Sequence, residues 1–196
     1  MNHNPLFAAM LLVTALFQGG CMMPKGYIDP AFHTATYKDV TPAKTPIPLR
    51  VEYALYRSEN DKPSGWETAI FEKKAARVLE STKVMQPDPE AKNTLKIALT
   101  DGVGIGEALA KGLATGVTFG LVGSHVVHHY TLVMTFNAAD GKQFRGSYEH
   151  ALHSTVGLKS APAGMQPVSY SDAFDQIVED LILRSLVDFQ QWQKVQ

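Results

Sequence analysis

Two alternating segments on either side of Gly141 constrain the fold of this chain more than any other feature. Residues 126–137 and 142–156 alternate apolar and polar side chains, as the two strands of a hairpin do. A slip of one residue would turn every side chain to the opposite face. A three-residue loop with Gly141 in the left-handed bulge position pairs Phe136 with Phe144 and leaves one face apolar, so we predict this register. It also pairs Leu132 with Tyr148 and Tyr130 with His150.

The periodicity of the remaining chain predicts an α+β fold. Residues 49–56 and 94–100 alternate as strands do, and Ser64 with Glu67 forms a capping-box pattern that predicts a helix to about Thr82. A second cap at 169–172 predicts a longer helix to about Gln193. The order is β-α-β-(Gly segment)-β-β-α. We expect an antiparallel-rich sheet of about four strands with both helices on one face.

The apolar stripes of the two helices predict which side chains they bury. For the first helix these are Ile70, Phe71, Ala75, Val78 and Leu79. For the second they are Phe174, Ile177, Val178, Leu181, Ile182, Leu186 and Phe189, with Trp192 packed at the end.

Small residues recur at every fourth position in a glycine-rich segment, 102–124. If that segment is helical, they form one stripe of the small-xxx-small pattern, which lets helix backbones approach closely. Each interior glycine costs about 1 kcal/mol relative to alanine, so something must pack on the stripe. Two interpretations stay open: a connection that lies against the sheet, or a membrane or self-association element. The stripe is formed by Gly104, Ala108, Gly112, Gly116, Gly120 and Ser124.

Five histidines in the predicted hairpin raise the question of a metal site. Neighbouring residues of a strand point to opposite faces, so the five cannot all converge. In the predicted register only His129, His153 and Glu149 meet, on the polar face, as weak candidate ligands. A solvated polar face is the interpretation that we favour, and we expect neither a bound metal nor a cofactor.

Neither catalysis nor nucleic-acid binding is predicted. No serine of the chain lies in a Gly-x-Ser-x-Gly nucleophile elbow, and residues 102–106 do not have the spacing of a phosphate-binding loop. We therefore expect no enzyme activity. The formal net charge of −1 argues against a general nucleic-acid binder, which needs a basic face.

The first 21 residues combine an apolar run with a single cysteine. An apolar run at 6–17, too short to span a bilayer, is followed by Gly19, Gly20 and Cys21, the only cysteine of the chain. This resembles the lipobox of bacterial lipoproteins, in which the signal peptide is cleaved just before the cysteine and acyl chains such as palmitate are attached to that cysteine. Gln18 stands where that class usually has Leu. The alternatives are an ordinary secretory signal beside a chance cysteine, or an uncleaved anchor.

The resemblance implies three regions: a signal peptide at 1–20, a lipidated cysteine with a Pro-rich tether at 21–48, and a single α+β domain at 49–196. Met22 rather than Asp follows the cysteine, which in enterobacterial members of the class favours the outer membrane. We therefore expect a lipid-anchored periplasmic accessory or binding module that acts in envelope transport or assembly through protein contacts. The alternative is a self-associating, membrane-active structural protein that uses the small-residue stripe.

Overall fold

The computed structural model describes residues 25–32, 34–58, 61–103, 124–156 and 160–195. These residues form an α+β fold, the predicted class. The elements in chain order are β1 (Lys25–Ile28), β2 (Ile47–Tyr56), α1 (Gly65–Thr82), β3 (Met85–Pro87), β4 (Thr94–Val103), β5 (Ser124–Asn137), β6 (Gln143–Val156), β7 (Val168–Ser169) and α2 (Tyr170–Lys194).

The strands form one sheet in the order β3-β2-β4-β5-β6-β1-β7. Strand β2 runs parallel to β3 and β4, and the other pairs are antiparallel. Both helices pack on the same face, where Leu95, Ile97, Leu132 and Met134 are fully buried. The sheet is antiparallel-rich as predicted, but seven strands are described where we predicted about four.

The hairpin register is confirmed. Phe136 lies opposite Phe144, Leu132 opposite Tyr148 and Tyr130 opposite His150. Gly141 has a φ of +89°, the left-handed conformation that the predicted loop requires. The apolar face that results is covered by α2.

Helix α1 ends at Thr82 as predicted, and four of its five predicted core residues are buried. Ile70 was predicted to be buried but is 44% exposed, because it lies on the outer side of the helix. The side chain of Ser64 makes no capping hydrogen bond. The Glu67 carboxylate instead pairs with Arg57 at 2.6 Å, and the Thr68 hydroxyl accepts the N–H of Leu55, so α1 is tied to the end of β2.

Helix α2 begins at the predicted cap, where the Ser169 hydroxyl accepts the N–H of Asp172 at 3.1 Å. Its predicted apolar stripe is buried except for Phe174, which is half-buried. Trp192 stacks on Phe189 with ring centroids 5.7 Å apart, as expected for the end of the helix.

The sequence interpretation missed three short strands. Residues 25–28, which we assigned to a tether, form β1, and the Tyr27 side chain in it is only 2% exposed. Residues 85–87, which follow the first predicted helix, and residues 168–169, at the predicted cap of the second, were not assigned to a strand and form β3 and β7. Two to four residues cannot show a period, and their neighbours in the sheet supply the hydrogen bonds that order them.

The sheet and α2 approach each other closely at Gly26 of β1. A Cβ atom at this position would lie 3.0 Å from Cβ of Ala173 and 3.3 Å from the backbone of Tyr170. We therefore expect Gly26→Ala to displace β1 from α2 and to lower the free energy of unfolding by about 1–3 kcal/mol, as overpacking does.

Urea unfolding measures this loss, and Gly65→Ala is the matched control. A Cβ at Gly65 would meet nothing within 4 Å, and alanine favours the helix by up to about 1 kcal/mol. Equal stability of the two variants would contradict the tight packing of β1.

Candidate functional site: the histidine end of the sheet

The histidines of the hairpin lie towards one end of the sheet. Here Lys25 lies opposite Thr155, Ser124 lies opposite Val156, and Val103 at the end of β4 lies opposite His128. The amino ends of β1 and β5 therefore meet the carboxyl ends of β4 and β6. We call this region the histidine end.

A hydrogen-bonded chain of three side chains lies on the face away from the helices. Nε2 of His125 is 3.0 Å from Nδ1 of His153, and Nε2 of His153 is 3.1 Å from Oδ2 of Asp29. Because the carboxylate only accepts, Nε2 of His153 donates to it. Nδ1 of a neutral His153 then accepts from His125, which fixes the proton positions along the chain.

Asp29 belongs to the segment that follows β1, so this chain holds the segment against β6. The backbone N–H of Ala31 donates to the Asp29 carboxylate at 2.9 Å and is the main reason that the pKa of this carboxyl lies below its usual range. The hydrogen bond from His153 lowers that pKa further.

A second histidine–aspartate pair lies on the helix face. Nδ1 of His128 is 3.2 Å from Oδ1 of Asp101, which is near the end of β4. The ring of His128 also contacts Tyr130 and Tyr170, whose hydroxyl groups are 3.3 Å apart. Burial raises the pKa of both tyrosines, so both stay protonated at neutral pH.

A third pair is buried between β6 and α2. The N–H of Ala151 donates to Nδ1 of His150 at 2.8 Å, so the proton of the neutral ring is on Nε2, which faces Oδ2 of Asp180 at 3.9 Å. Oδ1 of Asp180 accepts the N–H of Ala35 at 2.6 Å, and Arg184 lies 3.6 Å from Oδ2. Burial is the main cause that lowers the pKa of His150.

The structure places the three weak candidate ligands of the polar face in different environments. His129 and Glu149 are exposed, while His153 is half-buried and bonded to Asp29. Over the parts of the chain that the structure describes, no group of three or more His, Cys, Asp or Glu residues could hold a metal ion.

The aspartates are the partners that sequence reasoning missed. Asp29 lies in the segment assigned to a tether, Asp101 lies just beyond the predicted end of its strand, and Asp180 lies on the buried side of α2. Only Asp101 carried a usable signal, since extending the second predicted strand by one residue would have placed it beside β5.

Two of the predicted sites lie outside the described residues. These are Cys21 and the stripe from Gly104 to Gly120. Ser124, the last member of the stripe, begins β5, and Gly102 before the segment lies in β4. Both flanks of the segment are thus at the histidine end. None of the helices among the described residues is long and apolar enough to cross a membrane.

Comparison with known proteins found neither a matching family model nor a matching curated protein. Among solved structures, a PelC dodecamer from Paraburkholderia phytofirmans is 16% identical with a TM-score of 0.34, over 83% of this chain and 95% of that one. Protein XCC0632 from Xanthomonas campestris, whose family model is DUF330, is 10% identical with a TM-score of 0.32, over 84% of this chain and 93% of that one. Similarity at this level carries no argument about function.

The buried pair of His150 and Asp180 predicts a pH dependence of stability. Because the pKa of folded His150 lies below its ordinary value of 6.5, the unfolded chain binds this proton first as the pH falls. The free energy of unfolding should therefore decrease below about pH 6.5, by at most about 1.4 kcal/mol per pH unit for this one group. The lowered pKa of Asp29 affects the free energy of unfolding in a separate pH range, below the ordinary aspartate pKa of 3.8.

Urea unfolding between pH 7 and pH 5 tests this with His150→Asn. Asparagine retains an acceptor for the Ala151 N–H but does not titrate, so the variant should show a shallower decrease than the wild type. His129→Asn removes an exposed histidine and is the control. A slope as steep in the His150 variant as in the control would contradict the prediction.

Proposed function

We propose that this chain is a lipid-anchored accessory module on the periplasmic side of the bacterial outer membrane. It acts in envelope transport or assembly through protein contacts, and the acylated Cys21 holds it to the membrane. The lipobox-like sequence that ends at Cys21 supports the anchor, and Met22 supports the outer membrane as its location.

The position of β1 is the observation that carries the proposal. Lys25, the first residue of this strand, comes four positions after Cys21 and already lies inside the sheet, opposite Thr155. Four residues span at most about 14 Å. An acyl group on Cys21 would therefore hold the histidine end close to the bilayer, without a long tether between them.

The charged face of the sheet supports a role in protein contacts. The helices cover one face, and among the described residues the middle of the other face presents exposed charged side chains of both signs, as antiparallel sheets with one solvated face do. Charges of both signs suit specific pairing with a protein surface better than attraction to a polyanion. These side chains are Arg50, Glu52, Lys96, Arg145 and Glu149.

Substitution of Cys21 tests the anchor. We expect Cys21→Ser to release the protein from the membrane fraction into the soluble periplasm, with an unchanged circular dichroism spectrum, because the described domain begins after this residue. Membrane fractionation and mass spectrometry of the mature amino terminus measure the outcome. Met22→Asp keeps the cysteine and is the matched variant, which we expect to stay acylated but to move to the inner membrane. Retention of the Cys21→Ser protein at the membrane would contradict the proposal.

Photo-crosslinking tests the protein contacts. Ser147 is exposed in β6 on the charged face, so a photoreactive residue there should give a discrete adduct with another envelope protein in the native host. Ser81, exposed near the end of α1, is the control position and should give none. Identical adduct patterns at both positions would contradict a specific interface on the sheet.

A further inference from the structure

The outer side of α1 carries exposed apolar and basic side chains in one line. Trp66 is 65% exposed and Ile70 is 44% exposed, and because they are four residues apart on the helix they form one exposed apolar patch. Lys73 and Arg77 follow at spacings of three and four residues, which places all four on one helix face. We call these four residues the α1 stripe.

The basic half of the stripe borders a groove between the helices. This groove has a volume of about 290 Å³ and is lined by Ile70, Lys73, Lys74, Arg77 and Asp175. Lys74 pairs with Asp175, so the one carboxylate of the groove is already neutralised. Lys73 and Arg77 therefore leave the groove with a net positive charge that suits a phosphate group.

The apolar half of the stripe lies at the same end of the molecule as β1. The two helices run in the same direction. Lys74 of α1 pairs with Asp175 of α2. One turn further along both helices, Arg77 lies near Tyr37, whose hydroxyl donates to Glu179. At 1.5 Å per residue, Trp66 lies about 12 Å before Lys74, and Tyr170 lies about 7.5 Å before Asp175.

Trp66 is therefore at least as near as Tyr170 to the end of the molecule at which both helices begin. The backbone of Tyr170 in turn lies against Gly26 of β1, 3.3 Å from where its Cβ would be. An anchor at Cys21 would hold both β1 and Trp66 towards the bilayer.

We propose that the α1 stripe is a membrane-contact surface that lies on the phospholipid bilayer to which Cys21 is anchored. Trp66 and Ile70 enter the headgroup region, where an indole ring places its apolar body in the bilayer and its N–H at the polar side. Lys73 and Arg77 bind headgroup phosphates in the groove. The inference rests on the proposed lipid anchor and deepens it, because it fixes which side of the domain faces the membrane.

The two tryptophans of the chain make the test specific. Trp192 is stacked among aromatic rings at the far end of α2, which is about 37 Å long. The acylated full-length chain is purified as Trp192→Phe, which leaves Trp66 as the only reporter, and as Trp66→Phe, which leaves Trp192. Each is reconstituted into phosphatidylethanolamine–phosphatidylglycerol vesicles, with and without brominated acyl chains that quench tryptophan on contact.

Trp66 emission should shift to shorter wavelength on the vesicles and be quenched by the brominated lipid, whereas Trp192 emission should not change. In the Trp192→Phe background, Lys73→Glu with Arg77→Glu should abolish the quenching of Trp66. Lys44→Glu with Lys92→Glu, which changes two exposed lysines and the net charge equally, should leave it intact.

Mass spectrometry of the same samples separates the two proposals. An acylated chain whose Trp66 is not quenched would overturn the contact surface and leave the anchor standing. Equal quenching of Trp66 in an acylated chain with Lys73 and Arg77 and in one with glutamate at both positions would exclude a role of the two basic residues and so overturn the groove as a headgroup site. If Cys21 carries no acyl group, the anchor fails, and the contact surface that rests on it fails with it.

Discussion

The pairing of β5 with β6 is the interaction on which the rest of the structure depends. These are the longest strands described, fourteen residues each, and their register decides which side chains face α2. With Phe136 opposite Phe144, the aromatic rings of both strands meet Phe189 and Trp192 of the helix. A shift by one residue would exchange this apolar face for the charged one. The positive φ of Gly141 fixes the register because it allows the bulged loop that this pairing needs.

The same register sorts the histidines into separate environments. His128 and His150 face the helices, where Asp101 and Asp180 pair with them, and His153 faces the other side, where Asp29 pairs with it. The three aspartates lie in the segment after β1, in β4 and in α2, so each pair ties the hairpin to a different part of the chain. The histidine end is thus a junction of β1, β4 and α2 on the hairpin, and this junction is the part of the domain that an anchor at Cys21 would hold nearest the membrane.

Long periodic segments could be predicted from the sequence, and short or tertiary features could not. The hairpin, β2, β4 and both helices each contain enough residues to show a period of 2 or 3.6, so their types and the register at Phe136 and Phe144 followed from the pattern. Strands β1, β3 and β7 have two to four residues and owe their conformation to their neighbours. Ile70 was misassigned because apolar character alone cannot tell a core position from an exposed one. The aspartate partners of the histidines are distant in sequence, and only the folded topology brings them together.

The position of β1 between β6 and β7 also imposes an order on folding. Lys25 pairs with both Thr155 and Ser169, so the first strand of the domain cannot be enclosed until almost the whole chain is present. Until then residues 152–155 of β6 lack the strand that pairs with them, and an unpaired strand edge can recruit strands from other molecules. Contacts of such long range also slow folding. A chain that is synthesised from its amino terminus therefore passes through an interval in which it is prone to aggregate, which begins when the hairpin forms and ends when β1 pairs with β6 and β7.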